Sequence, residues 1–377
     1  MDWEILLQTP SFELRRSGRF LVADLEEAHQ VLSTSVRHGG QVEHVRFLLN
    51  HQSCEGAAHL DRHRAITEAG LEVYHDSVCA EAGLPPDATA VMGTAANMNY
   101  VAVTTERDEG LAVTAAVTAG VEGNATAAGE PAAWRETESG VQKVPAYAGT
   151  INTMLVINQP LTPAALARVV VTMTEGKSAA LQRLAVPSKR HVDLATGTGT
   201  DQYCIAAPVS GERPLTSASP HMKLGELIGL ATRNATTEAL RWQNGLEASY
   251  TRGVFHALGR YGVKEATLFD DLAPLLGESD LELLRKNAKA AFYEPLVGSA
   301  AHALATVCDR VRYGTLPQTV AADAMVQQAA VLAANLAAQV HRWAEFRMTL
   351  RPHANGDVKT LVLRALALGW SEKWRTG

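Results

Sequence analysis

The sequence predicts an α+β fold, a mixed β-sheet core packed with helices, followed by an all-α C-terminal domain. Three observations lead there. The stretch "GTINTMLVINQPL" alternates, with Ile151, Thr153, Leu155 and Ile157 on one face, as a strand does. Strand-like runs cluster together instead of alternating regularly with helices, which separates α+β from α/β. Beyond Tyr250 the chain turns alanine- and leucine-rich with helical periodicity, as in "DAMVQQAAVLAANLAAQVHRWAEF", so a domain boundary is placed near residue 248 (1–248 and 249–377).

The elements follow in order. "RFLVADL" and "VEHVRFLLN" read as strands flanking a loop, "STSVRHGG". Asp61 to about Gly83 reads as one helix, stopped by Gly83 and the Pro85-Pro86 pair. "TAVMG", "NYVAVTTE" and "LAVTAAVTA" are strands, and Gly120 to Gly149, rich in Gly, Ala, Glu and Ser, is expected to be a long connecting loop. The next helix is the best marked: Thr162 caps it, Pro163 opens its first turn, and Leu166, Val170, Met173, Leu181 and Leu184 form its apolar stripe. "QYCIAAP" is a strand, and a helix runs from about Lys223 to Leu246. In the C-terminal part, Val326, Ala329, Ala333, Leu336, Val340 and Trp343 make a stripe suited to a helical bundle or to a face pairing two copies of the chain.

Composition narrows the function. Of 377 residues 46% are hydrophobic and 20% charged, ordinary for a folded soluble protein. A net charge of −6 and an aromatic content of 6% argue against a nucleic-acid binder. No signal peptide is expected at the N-terminus, and no run of eighteen apolar residues predicts a membrane span. Cys54, Cys79, Cys204 and Cys308 are scattered, which fits free thiols in a cytoplasmic enzyme.

The most unusual stretch is "LATGTGTDQYCIAAP", Leu194 to Pro208. Its glycines either adopt left-handed backbone or let another group come close, and its threonine hydroxyls and amides can form a concave set of donors. It lacks the lysine and following helix of a P-loop and the third glycine of a dinucleotide fingerprint.

Taken with this stretch, "GTAANMN" (93–99), "VTAGVEGNA" (117–125), "GTINTMLVINQPLTPAAL" (149–166), "TEGKSAALQRL" (174–184), "ATGTGTD" (195–201) and "HMKLGELIG" (221–229) resemble the adenosylcobinamide amidohydrolase family in order and spacing. A weaker echo lies at "VLSTSVRHGG" (31–40), and nothing after residue 250 matches. The resemblance implies a hydrolase that splits the aminopropanol amide of adenosylcobinamide to release adenosylcobyric acid, with the corrinoid as its small-molecule ligand and no required cofactor. Alternatives are an amidase for another amide or tetrapyrrole, or a corrinoid- or metal-binding protein without turnover. Gly176 departs from the family pattern, which usually carries alanine there.

Amide hydrolysis needs a nucleophile or activated water, a proton for the leaving amine, and donors for the oxyanion. The resemblance puts Glu175, Lys177 and Asp201 among the catalytic candidates, with Glu175 first as acid/base, together with Thr150, Asn152 and His221. Thr94, Asn97, Asn124 and the loop Thr196, Gly197, Thr198, Gly199 and Thr200 are the expected substrate binders. "AGTIN" also resembles the cleavage site of self-processing N-terminal-nucleophile hydrolases, in which a freed amine activates its own hydroxyl; a sheet-edge threonine is the plainer reading of Thr150. "DRHRAI" and "HLDRH" resemble cobalt and zinc signatures but lack their glycine and glutamate. A helix starting near Ser53 would instead align Glu55, His59 and His63, with His51 and Cys54 at its N-terminal end, a set suited to zinc or another late transition metal.

Overall fold

Parallel strand pairs need a helical crossover, whereas antiparallel ones can be joined by tight turns. The computed structural model, which describes residues 1–55, 59–132, 134–137, 140–143, 149–211 and 213–373, shows how this rule shapes the chain. The first strands are β1 (Glu4–Gln8), β2 (Phe12–Ser17), β3 (Phe20–Leu25), β4 (His29–Ser33), β5 (Gly40–Val42) and β6 (Phe47–Gln52). Helices α1 (His59–Ala69) and α2 (Leu71–Ala82) then return the chain to β7 (Thr89–Thr94), which pairs parallel with β6. Strands β8 (Ala102–Asp108), β9 (Leu111–Ala119), β10 (Ala125–Thr126), β11 (Trp134–Thr137), β12 (Gly140–Lys143) and β13 (Ile151–Ile157) follow. Helix α3 (Pro163–Arg183) is the second crossover, leading through β14 (Gly197–Thr198) to β15 (Gln202–Pro208), parallel to β13. Helix α4 (Lys223–Asn244) ends on Gly245 in left-handed backbone at φ 62°.

One sheet has the order β1-β2-β3-β6-β7 and the other β5-β4-β15-β13-β9-β8. Strand β3 explains their stacking. Its Leu21, Ala23 and Leu25 point into a core shared by both sheets, while Phe20 and Val22 pack outward with Val78, Cys79 and Ala82 of α2. The far side of the second sheet is covered at β8 and β9 by α4, against which α3 packs. The N-terminal unit, Met1–Gly245, is thus layered helix, sheet, sheet, helix. Thr162 caps α3 as expected, accepting from the Ala165 amide at 3.2 Å. A Cβ on Gly176 would lie 2.9 Å from the Gly229 carbonyl oxygen, so α3 and α4 meet backbone to backbone and glycine has a packing reason there.

Three expectations change. Gly70, at φ 95°, splits the single helix expected over 61–83 into α1 and α2. His51, expected at the N-terminal end of a helix starting near Ser53, lies instead on strand β6, and the described helix runs over His59–Ala69. Within the expected loop, β10 pairs with β14, and β11 with β12.

The second unit, Leu246–Gly377, has helices and no strands among its described residues. It runs through α5 (Ala248–Thr251), α6 (Val254–Leu258), α7 (Leu268–Leu272), α8 (Glu278–Lys286), α9 (Ala288–Phe292), α10 (Pro295–Arg312), α11 (Gln318–Ala337), α12 (Trp343–Leu350) and α13 (Val358–Glu372). Helix α11 is long and apolar enough to cross a membrane, yet half of it is buried, and it packs between α10 and α13. Val326, Ala329, Ala333 and Leu336 face this unit's own core, so that part of the stripe is used internally. Arg260 makes a two-pronged ion pair with Asp309 at 2.5 and 2.6 Å, and the Tyr261 hydroxyl donates to the same carboxylate at 2.7 Å.

Candidate active site

The glycine–threonine loop works mainly through close approach. Neither Gly197 nor Gly199 has positive φ. A Cβ on Gly197 would lie 2.5 Å from Asp201 Oδ2 and 2.8 Å from Lys177 Nζ. The missing side chain lets Lys177 reach across from α3 and pair with Asp201. That carboxylate also accepts from the Thr198 hydroxyl at 2.5 Å, the Thr198 amide at 3.1 Å and the Ile151 amide at 3.1 Å. Asp201 is therefore committed to fixing the start of β13 beside Thr150.

Thr150, just before β13, and Asn152, near its start, are both buried. The Thr150 hydroxyl donates to the Thr200 carbonyl at 2.6 Å. Asn152 donates to Asn50 Oδ1 at 2.9 Å and to the Gly93 carbonyl at 3.0 Å, and Asn50 donates to Thr118 at 2.9 Å. Gln202 accepts from the Gly93 amide at 2.9 Å. These bonds tie β6 and β7 of one sheet to β9, β13 and β15 of the other.

A cavity of about 430 Å³ opens at this seam. Gly149, Thr150, Thr200, Asp201 and Thr94 form a polar end, while Val36, Ile66 and Leu71 supply apolar wall. Tyr74 and Arg62 stand on that wall, with the guanidinium 5.9 Å from the ring centroid. The Tyr74 hydroxyl shares a hydrogen bond of 2.8 Å with His51 Nδ1, and burial pushes the phenol's pKa up. Burial, with Arg62 and Arg19 adding, pushes His51 down to about 4, so it is neutral at pH 7. His75 also lines the cavity, is shifted down by burial, and meets the Pro86 carbonyl through Nε2 at 3.2 Å.

The other expected residues are placed as follows. Asn124 binds the Gly149 carbonyl and Thr200 Oγ1, at 2.9 and 3.3 Å, and a Cβ on Gly199 would crowd it at 3.0 Å. Thr94 accepts from the Ala96 amide with its hydroxyl, and Asn97 caps a short turn by accepting from Asn99. Thr196 accepts from Ala128 and does not line the cavity. Glu175 and His221 are exposed and stand away from the cavity, so they are not brought together with Lys177 and Asp201. Cys54 is buried in the cavity wall, and His51 is committed to Tyr74 on a strand. The side chains of His59 and His63 lie outside the described residues, among which no group of three or more ligands could hold a metal. All four cysteines are unpaired and buried. Asn50, Tyr74, His75 and Gln202 were missed by the sequence reading; each is isolated in a run whose periodicity announces only a strand or helix.

Fold and site together define a two-sheet α+β protein with an open pocket whose polar end is braced by a lysine–aspartate pair. The chain belongs to the adenosylcobinamide amidohydrolase family, whose model matches residues 7–248. It is also similar to "Uncharacterized protein MJ1613" of Methanocaldococcus jannaschii, 34% identical over 176 residues, covering 44% of this chain and 68% of that protein. The family makes amide hydrolysis the reaction class, and the helical unit lies almost wholly beyond the match.

Proposed function

We propose that the N-terminal unit hydrolyses the aminopropanol amide of adenosylcobinamide, yielding adenosylcobyric acid and aminopropanol for corrinoid salvage in the cytoplasm. The observation that carries this reading is the cavity itself, lined by Thr150, Thr200 and Asp201 within the family-matched segment, with Asp201 paired to Lys177 of α3. A space of about 430 Å³ accommodates an amide arm and an edge of the macrocycle, so the corrin ring rests at the mouth against the apolar wall. The arm then lies with its carbonyl toward the polar end, where hydroxyl and amide donors can stabilise developing negative charge. Asp201 and Lys177 act by holding the Thr150 strand end in place.

The test is direct. Full-length protein is incubated with adenosylcobinamide without nucleotide, and the products are read by mass spectrometry. Adenosylcobyric acid and free aminopropanol are expected; a folded protein that leaves adenosylcobinamide and related corrinoids intact overturns the reading.

A further inference from the structure

The Gly149 carbonyl is held in an unusual way. Its oxygen accepts from two side chains, Asn124 Nδ2 at 2.9 Å and Thr200 Oγ1 at 2.9 Å. Two convergent donors on one carbonyl oxygen are the arrangement that stabilises an oxyanion when a nucleophile attacks the attached carbon. The next residue in the chain is Thr150, whose hydroxyl is the nearest nucleophile in sequence to that carbon. Gly149 itself has φ 144°, a backbone region that disfavours a side chain, and a Cβ there would lie 2.8 Å from the Gly120 carbonyl oxygen. Gly149, Thr150 and Thr200 all line the cavity, so this peptide bond stands at the cavity's polar end.

We propose that the Gly149–Thr150 peptide bond is a substrate of the chain itself, and that its cleavage creates the working site. Thr150 Oγ1 bonds to the Gly149 carbonyl carbon, the C–N bond to Thr150 breaks, and the hydroxyl proton ends on the released nitrogen. Asn124 and Thr200 carry the oxyanion formed between these events. Water then hydrolyses the resulting ester: its hydroxyl goes to the Gly149 carbon, giving a carboxylic acid that loses its proton to solvent, and its other proton returns to the Thr150 oxygen. The products are Met1–Gly149 and Thr150–Gly377, the second beginning with a free amine beside its own hydroxyl, where it serves as that hydroxyl's base. Departure of Gly149 would free Asn124 and Thr200 to receive the carbonyl of an incoming amide. Cleavage stands on the geometry alone; the role of the matured Thr150 rests on the amidohydrolase reading above.

Intact-mass spectrometry of the purified full-length chain, fresh and after days at neutral pH, decides the matter. Two fragments divided between Gly149 and Thr150 are expected, travelling together in gel filtration. Thr150→Ala should remain one chain with an unchanged circular dichroism spectrum, and Thr150→Ser should still divide. Thr200→Val, which keeps the side chain's size but removes a donor, should slow cleavage about a hundredfold. Turnover of adenosylcobinamide should rise in proportion to the divided fraction. A wild-type chain that stays whole overturns the proposal, whether or not it hydrolyses the corrinoid. Turnover independent of the divided fraction overturns the maturation role. A chain that divides yet leaves every corrinoid amide intact supports self-cleavage and overturns the functional reading instead.

Discussion

The two units bury different things. In the helical unit, the core is mainly alanine, leucine and valine with three large aromatics, Phe292, Phe346 and Trp370; among the described residues its buried polar side chains are few, chiefly His256 and the Arg260–Asp309 pair. The N-terminal unit buries Asn50, His51, Thr118, Thr150, Asn152 and many further polar groups, joined to one another across two sheets. A buried polar group costs free energy unless it is hydrogen-bonded, so a core rich in them persists only when each finds a partner with good geometry. The difference shows where chemistry can be housed: a cavity with hydroxyls, amides and a carboxylate on its wall requires a polar network behind it, and the sheet unit supplies one that spans two sheets.

Variants can break or sharpen this contrast. The largest effect on stability is expected in the helical unit. Arg260→Leu leaves the Asp309 carboxylate buried without its guanidinium partner and should destabilise the helical unit by about 3 kcal/mol, while adenosylcobinamide turnover by the folded protein changes less than about twofold, because every residue lining the cavity belongs to the N-terminal unit. Denaturant titration and a mass-spectrometric assay read the two quantities, and a large loss of turnover would break the division of labour.

Asp201→Asn should act on both. Amide in place of carboxylate loses the ion pair to Lys177 and turns one acceptor into a donor facing the Ile151 and Thr198 amides. A loss of about 2 kcal/mol is expected from unsatisfied buried donors, with turnover reduced about a hundredfold through the displaced Thr150. Full activity with lowered stability would reduce Asp201 to a fold element.

Gly176→Ala tests the helix contact behind the site. Alanine ordinarily favours a helix over glycine by about 1 kcal/mol. Here its Cβ meets the Gly229 carbonyl oxygen, so overpacking should reverse the sign and destabilise by about 1 kcal/mol. A raised melting temperature would show that α3 can shift away from α4 without cost.

Acid should separate the units by pH. Burial depresses His29, His51 and His75 below their ordinary value of 6.5, His51 to about 4. The unfolded chain therefore binds protons below about pH 6.5 that the folded N-terminal unit refuses, and its stability falls as pH drops from about 6.5 toward 4. In the helical unit, Asp271 and Asp357 are held below 3.8 by hydrogen bonds from Lys359 and Thr360, so their contribution is lost only at still lower pH. Hydrogen exchange followed by mass spectrometry between pH 7 and 4 should show the sheet unit loosening first. Simultaneous loosening would mean that other groups dominate.

The smallest effect is expected at Glu175→Gln. The side chain is exposed, so both stability and turnover should stay near wild type, within about 0.5 kcal/mol for stability. A large loss of turnover would bring Glu175 back as an acid/base group and shift the site along α3.

Much of this was legible along the chain. The alternation of Ile151 to Ile157 and the Thr162-Pro163 start of α3 announced a strand and a helix, because periodicity and capping are local properties written in neighbouring residues. The change of composition near residue 248 marked the helical region for the same reason, and the ordered motifs marked the family. What tertiary structure alone decided is which polar residues meet. Glu175 and Lys177 lie two positions apart, about 200° around the helix, and nothing local says which faces inward; Asp201, 24 residues later, selects Lys177. Asn50 finds Asn152 across 102 residues, and Thr200 reaches Gly149 across 51. Such pairings leave no period in the sequence, because they are chosen by the stacking of two sheets, where an unpartnered polar group is too costly to keep.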